Sequence, residues 1–180
     1  MSVLLVPGSP EATLALCTER LAELRPHLTS PTVEAKAVFS RVFLELQSVS
    51  VAHACVPQVE CLLAVAQFHY LAAQPATGLT PALQAVDIAR QLGDRKILRR
   101  ALTVLGLMRM ETGSLAGATE CYSEALQVAR ELGDIGEEAP VWNNLGLALQ
   151  AAAQHGDALQ CLERAAALAQ RSQPYALIEK

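Results

Sequence analysis

Aromatic residues are scarce in this sequence. Only 4% of the 180 residues are Phe, Trp or Tyr, although 52% are hydrophobic, so the apolar side chains are mostly Ala, Leu and Val. Strands are enriched in aromatic and β-branched residues, whereas Ala and Leu are strong helix formers, so this composition favours helix over strand. The length suits one domain or one repeat array.

Long apolar runs and an excess of basic charge are also absent. No stretch approaches the ~20 consecutive apolar residues that a membrane-spanning helix needs, and the N terminus lacks the basic region of a signal peptide. The formal net charge is -4, which argues against binding nucleic acid or an anionic membrane through overall charge. We therefore expect a soluble, cytoplasmic protein with no nucleic acid and no membrane among its partners.

The cysteines form no Cys-x-x-Cys pair, and their number is odd: Cys17, Cys55, Cys61, Cys121 and Cys161. A disulfide framework in a short secreted chain normally has an even count. The cluster His53-x-Cys55-x5-Cys61-x7-His69 does not fit zinc, because structural zinc sites favour gaps of about two to four residues. We expect reduced cysteines that pack as small hydrophobic residues, and neither a metal nor another cofactor.

The sequence contains no recognisable catalytic motif. GxSxG, HExxH, GxxxxGK[ST], a GxGxxG that follows a strand, and a GGDEF-like signature are all missing. The pair Glu137-Glu138 lies in the first turn of a predicted helix, where carboxylates interact favourably with the helix dipole. We interpret this pair as a helix start and not as a general acid, and we predict that the chain is not an enzyme.

A 40-residue internal repeat is the strongest signal in the sequence. Residues 85–94 (AVDIARQLGD) match residues 125–134 (ALQVARELGD) at six of ten positions. The same offset superposes further residues: Leu105-Gly106-Leu107 on Leu145-Gly146-Leu147, Ala118 on Ala158, Cys121 on Cys161 and Ala125 on Ala165. One register explains all of these matches, which predicts an array of repeats.

Each period contains two helical segments, called helix A and helix B below. Apolar residues recur at helical spacing in residues 95–111 and again in residues 115–132. The Leu-Gly-Asp trio at 132–134 is typical of a helix end followed by the cap of the next helix. The following period repeats the scheme over about 136–153 and 156–171.

The first fifty residues carry no repeat signature but are also predicted to be helical. Ser9-Pro10-Glu11 suits the start of a helix that runs to Pro26, and Ser30-Pro31 suits the start of a second helix that runs to about residue 49. Terminal repeats of an array are often atypical because they cap it. We expect such a role for these residues.

The repeat resembles the tetratricopeptide repeat (TPR), whose signature combines Leu-Gly in helix A with small residues in helix B. The matching residues are Leu102, Leu105-Gly106, Ala118, Tyr122 and Ala125; then Trp142, Leu145-Gly146, Leu149, Ala158, Leu162 and Ala165; and, more weakly, Leu62, Val65-Ala66, His69, Gly78, Ala82 and Ala85. The 40-residue period is similar to the variant found in kinesin light chain, in bacterial regulators and in the sensory regions of diguanylate cyclases.

The resemblance implies an all-α, right-handed superhelix of antiparallel helix pairs, with about eight helices. It divides the chain into an N-terminal helical pair at 1–54, a weak repeat at 55–94, two clear repeats at 95–134 and 135–172, and the start of a further, truncated helix at 173–180. From that last segment we expect the chain to be a piece of a longer protein.

The resemblance also assigns residues to a concave groove, which in this family is lined by helix A. These residues are Gln67, Tyr70, Arg100, Thr103, Leu107, Met110, Glu111, Asn143, Asn144, Leu147 and Gln150, with Glu60, Leu63, Leu71, Pro140 and Ala151 at further groove positions. Arg100 could pair with an acidic side chain or a terminal carboxylate. Alternatively, the basic run Arg90, Arg95, Lys96, Arg99 and Arg100 is a solvated corner between repeats.

Two further residues have open interpretations. Asn143 and Asn144 could hold the backbone of a bound peptide, as the resemblance suggests, or bridge neighbouring repeats. Trp142 is expected to pack in the core. The groove lacks the lysines of a chaperone-type carboxylate clamp, so that function is disfavoured.

The predicted function is that of a binding scaffold. We expect the regulatory or ligand-sensing region of a larger bacterial signalling protein, for example upstream of a diguanylate cyclase or a transcription-regulator output domain. The alternative is a stand-alone adaptor or oligomerisation scaffold. The expected partners are a protein or peptide in the groove and a second copy of the chain, which would form a homodimer through the C-terminal repeat.

Overall fold

The computed structural model describes residues 9–29, 31–49 and 51–172. Within these ranges the chain forms eight α-helices and no strand, which confirms the predicted all-α superhelix. The helices are α1 (Pro10–Leu24), α2 (Val33–Gln47), α3 (Val56–Leu71), α4 (Pro75–Leu92), α5 (Arg95–Glu111), α6 (Leu115–Leu132), α7 (Ile135–Ala151) and α8 (His155–Ser172). The predicted truncated helix at 173–180 lies outside the described residues.

Local sequence signals set several of the helix ends. The carboxylate of Asp94 accepts hydrogen bonds from the backbone N–H groups of Lys96 and Ile97, at 2.9 and 3.1 Å, and Asp134 caps α7 in the same way. Gly93 and Gly133, with φ of 68° and 67°, take the left-handed conformation that ends α4 and α6. These corners explain why successive helices reverse direction after so few residues.

The second helix begins later than the sequence suggested. Its first residue is Val33, and the Thr32 hydroxyl accepts a hydrogen bond of 3.1 Å from the backbone N–H of Ala35. Proline was taken as the first-turn residue, but Pro31 instead precedes the capping threonine. A Thr side chain can satisfy an unpaired N–H of the first turn, which a proline ring cannot do.

The helices pack in sequential order. Each of the pairs α3–α4, α5–α6 and α7–α8 is a closely packed antiparallel hairpin, and α4 packs on α5 as α6 packs on α7. The first helices of these hairpins also touch one another, α3 against α5 and α5 against α7. The exposed side chains of α3, α5 and α7 therefore share one surface, which we call the A-helix face.

Close approach within the α5–α6 and α7–α8 hairpins depends on glycine. A Cβ placed on Gly106 would lie 2.6 Å from Cε1 of Tyr122, and one on Gly146 would lie 2.8 Å from Cγ of Leu162. Tyr122 is completely buried, so its ring fills the space that the missing side chain leaves. This contact is the physical basis of the Leu-Gly pair in the repeat.

The N-terminal helices extend the core without repeating its pattern. α1 and α2 both pack on α3, and the rings of Phe39 and Phe68 stack with centroids 4.2 Å apart. The thiol of Cys61 donates to the backbone carbonyl of Cys17 at 3.3 Å, and burial raises the pKa of the Cys61 thiol to about 12. These two cysteines therefore act as small core residues.

Candidate functional site

The predicted groove residues all lie on α3, α5 and α7. Gln67, Tyr70, Arg100, Glu111, Asn143, Leu147 and Gln150 are exposed, whereas Thr103, Leu107, Met110 and Asn144 are half-buried. The 40-residue offset arranges several of them in two rows across the helices: Gln67, Leu107 and Leu147 in one, and Tyr70, Met110 and Gln150 in the other. The A-helix face is thus a mixed surface of apolar and amide side chains.

One secondary groove assignment is wrong. Leu63 is only 2% exposed and belongs to the core. The reason is that α3 packs against α1, α2, α4 and α5, so that more of its circumference is covered than the repeat pattern requires. The neighbouring Glu60 is half-buried and Leu71 is exposed.

Adjacent arginines of α5 connect three A helices. Arg100 binds the carboxylate of Glu60 on α3 at 3.0 Å, and Arg99 binds that of Glu137 on α7 at 2.7 Å. The Arg99 side chain is 10% exposed, and that of Glu137 is 48% exposed. Arg100 therefore has an acidic partner within the chain. This makes it less available to bind the terminal carboxylate of a peptide ligand.

The remaining arginines of the basic run are paired as well. Arg90 donates to both carboxylate oxygens of Glu124, at 2.8 and 2.9 Å, and this hydrogen bonding raises the pKa of Arg90. Arg95 pairs with Glu131. Each of the four arginines of the basic run thus pairs with a carboxylate on another helix, and Lys96 is exposed.

The two asparagines of α7 differ in exposure. Asn143 is exposed and Asn144 is half-buried. Within the described ranges neither side chain makes a hydrogen bond, so the structure gives no contact by which they would bridge neighbouring repeats. Their amide groups remain accessible to a ligand on the A-helix face.

An apolar groove lies between α7 and α8. Its volume is about 640 Å³, and its lining consists of Gly136, Ala139, Pro140, Asn143, Leu162, Ala165, Ala166 and Ala169. At the corresponding positions of the preceding unit, Leu126 and Ala129 are buried, in a hairpin against which α7 packs. In α8 the equivalent residues, Ala166 and Ala169, are exposed. We call this surface the end groove.

Trp142 has a role that the sequence did not reveal. Two guanidinium groups lie over its ring, that of Arg130 on α6 at 5.2 Å and that of Arg164 on α8 at 5.1 Å from the ring centroid. Core packing was expected, and the residue is indeed largely buried. The cation–π contacts were missed because they join residues from three different helices.

Across residues 9–29, 31–49 and 51–172, no group of three or more His, Cys, Asp or Glu side chains could hold a metal ion. No helix in the same ranges is long and apolar enough to cross a membrane.

The sequence profile of the tetratricopeptide repeat family matches residues 98–171. This segment is therefore similar to TPR units. It contains α6 and α7 entirely and most of α5 and α8, so the resemblance seen in the sequence is confirmed for this part of the chain. A search of curated proteins finds no match to the sequence.

Solved structures with TPR-like helical repeats extend the similarity to most of the chain. The apo form of RapI has a TM-score of 0.68 at 13% sequence identity, and the match covers 92% of this chain and 44% of RapI. BtubC (BKLC) from P. vanneervenii also has a TM-score of 0.68, at 15% identity, over 93% of this chain and 76% of BtubC. The chain thus spans less than half the length of RapI, and at these identities the similarity concerns the fold alone.

Proposed function

We propose that the chain is a non-enzymatic TPR module that binds a protein or peptide on the A-helix face. The observation that supports this proposal is the pair of rows across α3, α5 and α7, each of which combines two apolar or aromatic side chains with one amide. Tyr70 and Leu147 are exposed there, and Asn143 lies beside Leu147 on the same helix. A surface of this kind can bury apolar side chains of a ligand while amides bind its backbone.

The charges on this face indicate the type of ligand. Since Arg100 is paired with Glu60 at 3.0 Å, a peptide with a terminal carboxylate would have to displace an existing ion pair. We therefore favour an internal peptide segment with apolar side chains over an acidic C terminus.

Peptides selected from a random phage-displayed library on the purified chain would test this proposal. Leu147→Glu, Asn143→Ala and Asn144→Ala should each weaken binding about ten-fold or more, since loss of one such contact costs roughly 1.5 kcal/mol or more. Leu83→Glu is the matched control, because Leu83 is an exposed leucine of α4, outside this face. If the selected peptides bind Leu83→Glu more weakly but bind the other three variants like the wild type, the ligand binds the opposite surface.

We also propose that this module is the cytoplasmic, regulatory or ligand-sensing region of a bacterial signalling protein, with an output such as a diguanylate cyclase or a transcription regulator. RapI supports this in one respect only: there, a fold of this kind forms part of a longer chain. The five free cysteines fit a reducing compartment. Reading the complete gene would test the proposal, and a gene without an output domain would contradict it.

A second candidate function is self-association through the end groove. Its apolar lining and its volume of about 640 Å³ favour this, because the same surface of the preceding unit is covered by a helix. Sedimentation over a concentration series should show a dimer that Ala166→Glu weakens and Leu83→Glu does not. Ala166 is exposed, so its substitution should leave the fold intact. A monomer at all concentrations would refute this function.

A further inference from the structure

A second pocket, remote from the A-helix face, lies where α2, α3 and α4 meet. Its volume is about 270 Å³. Four glutamines from three helices line it, Gln47, Gln58, Gln84 and Gln91, together with Asp87. We call it the glutamine pocket. Apolar side chains form the rest of its lining: the buried Leu46, Leu62 and Ile88 and the half-buried Val49.

Gln58 is the most informative residue of the glutamine pocket. Its side chain is 3% exposed, and its Oε1 atom is buried without a hydrogen-bond partner. At the same position of the next unit, 40 residues later, stands Leu98, which is 5% exposed. A buried acceptor with no partner is costly relative to an apolar residue, and the repeat itself shows that a leucine fits this position. Packing alone therefore does not explain why a glutamine occupies position 58.

Gln47 and Gln84 connect two of the helices that form the wall of the pocket. The side chains of Gln47 and Gln84 exchange two hydrogen bonds, of 2.9 and 3.0 Å, and so connect α2 to α4. At the position of Gln84 in the next unit is Glu124, which forms the ion pair with Arg90. The chain thus keeps a connection between B helices in both units but makes it neutral beside the glutamine pocket. Asp87 consequently supplies the negative charge of this pocket.

We propose that the glutamine pocket binds a small organic cation, a primary ammonium group on an apolar body. The Oε1 atom of Gln58 and the carboxylate of Asp87 are both hydrogen-bond acceptors, so they require a ligand that donates N–H groups. A positive charge on the donor strengthens its bond to the carboxylate. The buried leucines and Ile88 provide contact for the hydrocarbon part. The volume lies at the lower end of ligand pockets, which limits the ligand to the size of a single substituted ring.

Three probes that share a benzyl group but differ in charge would test this proposal by NMR titration of the ¹⁵N-labelled chain. Benzylammonium should saturate, with shifts concentrated on residues of the glutamine pocket. Benzyl alcohol should bind at least ten-fold more weakly, and phenylacetate should not bind. Gln58→Leu and Asp87→Asn should each weaken benzylammonium binding ten-fold or more. The control is Asp157→Asn, an exposed carboxylate on α8, which should bind like the wild type.

Several results would overturn the proposal. If none of the probes shifts residues of the pocket, it is not a ligand site. If benzyl alcohol binds as well as benzylammonium, the pocket does not select a cation. If Gln58→Leu folds, becomes more stable and binds benzylammonium unchanged, the amide serves only to hold water. Because leucine occupies the same position in the next unit, this variant is expected to fold, and its circular dichroism spectrum would verify that.

Discussion

Substituting Gly106 with alanine tests whether close helix packing defines the repeat. The new Cβ would lie 2.6 Å from Cε1 and 2.9 Å from Cδ1 of Tyr122, whereas carbon atoms in good contact are roughly 3.5–4.0 Å apart. The Tyr122 ring is completely buried, so it can move aside only if α5 and α6 separate. We expect Gly106→Ala to destabilise the chain.

The magnitude follows from two opposing terms. Overpacking a core typically costs about 1–3 kcal/mol, while replacing glycine by alanine inside a helix contributes about 1 kcal/mol of stability. The net change should therefore be a loss of up to about 2 kcal/mol. Gly146→Ala should cost less, because its contact at 2.8 Å is with Leu162, which is only half-buried and can shift more easily.

Urea denaturation followed by circular dichroism at 222 nm would measure these differences. Gly156→Ala is the control, because no atom lies within 4 Å of a Cβ at that position of α8; it should be neutral or slightly stabilising. The double variant Gly106→Ala, Tyr122→Leu should recover part of the loss. Equal stability of Gly106→Ala and Gly156→Ala would refute the argument that the glycine is required for contact with Tyr122.

Three further predictions concern polar groups. Tyr122→Phe should leave stability at pH 7 unchanged or raise it by about 1 kcal/mol in urea denaturation, because the Tyr122 hydroxyl is buried without a partner; a clear loss would contradict this. A double-mutant cycle with Arg99→Met and Glu137→Gln should give a coupling free energy of unfolding of about 1 kcal/mol. This coupling should decrease in 1 M NaCl, because Glu137 is half exposed; a coupling of zero would show that the pair does not stabilise the fold. Burial, with a smaller effect of Lys36, lowers the pKa of His69, so stability should fall as the pH drops below about 6.5, where only the unfolded state gains a proton; His69→Leu should reduce this loss.

Features that depend on neighbouring residues in the sequence could be predicted well. The segments 95–111 and 115–132 coincide with α5 and α6, because apolar spacing and the Gly-Asp corners are local signals. The predicted starts of α7 and α8 differ from the structure by one residue. The start of α2 was misplaced because Pro31 was taken as its first-turn residue, whereas the Thr32 hydroxyl caps the helix one residue later.

Features that join distant helices could not be predicted. The pairing of Arg99 with Glu137, the contacts of Trp142 with two arginines and the orphan acceptor of Gln58 all depend on how successive units are placed. The 40-residue offset aligns equivalent positions of successive units, but it does not predict which side chains of neighbouring units contact each other. The choice of residues on the A-helix face, and the division of the chain into units, stay predictions.

The ion pairs across the A helices also affect the shape of the array. Arg100 forms an ion pair with α3, and the adjacent Arg99 forms one with α7. One turn of α5 therefore contributes to the contacts with both neighbouring A helices. Exposed partners such as Glu137 are screened by salt over about 8 Å at physiological ionic strength. Since each unit of a solenoid contacts mainly its neighbours, a small change of angle at each junction accumulates along its length. Ionic strength should therefore tune the curvature of the superhelix.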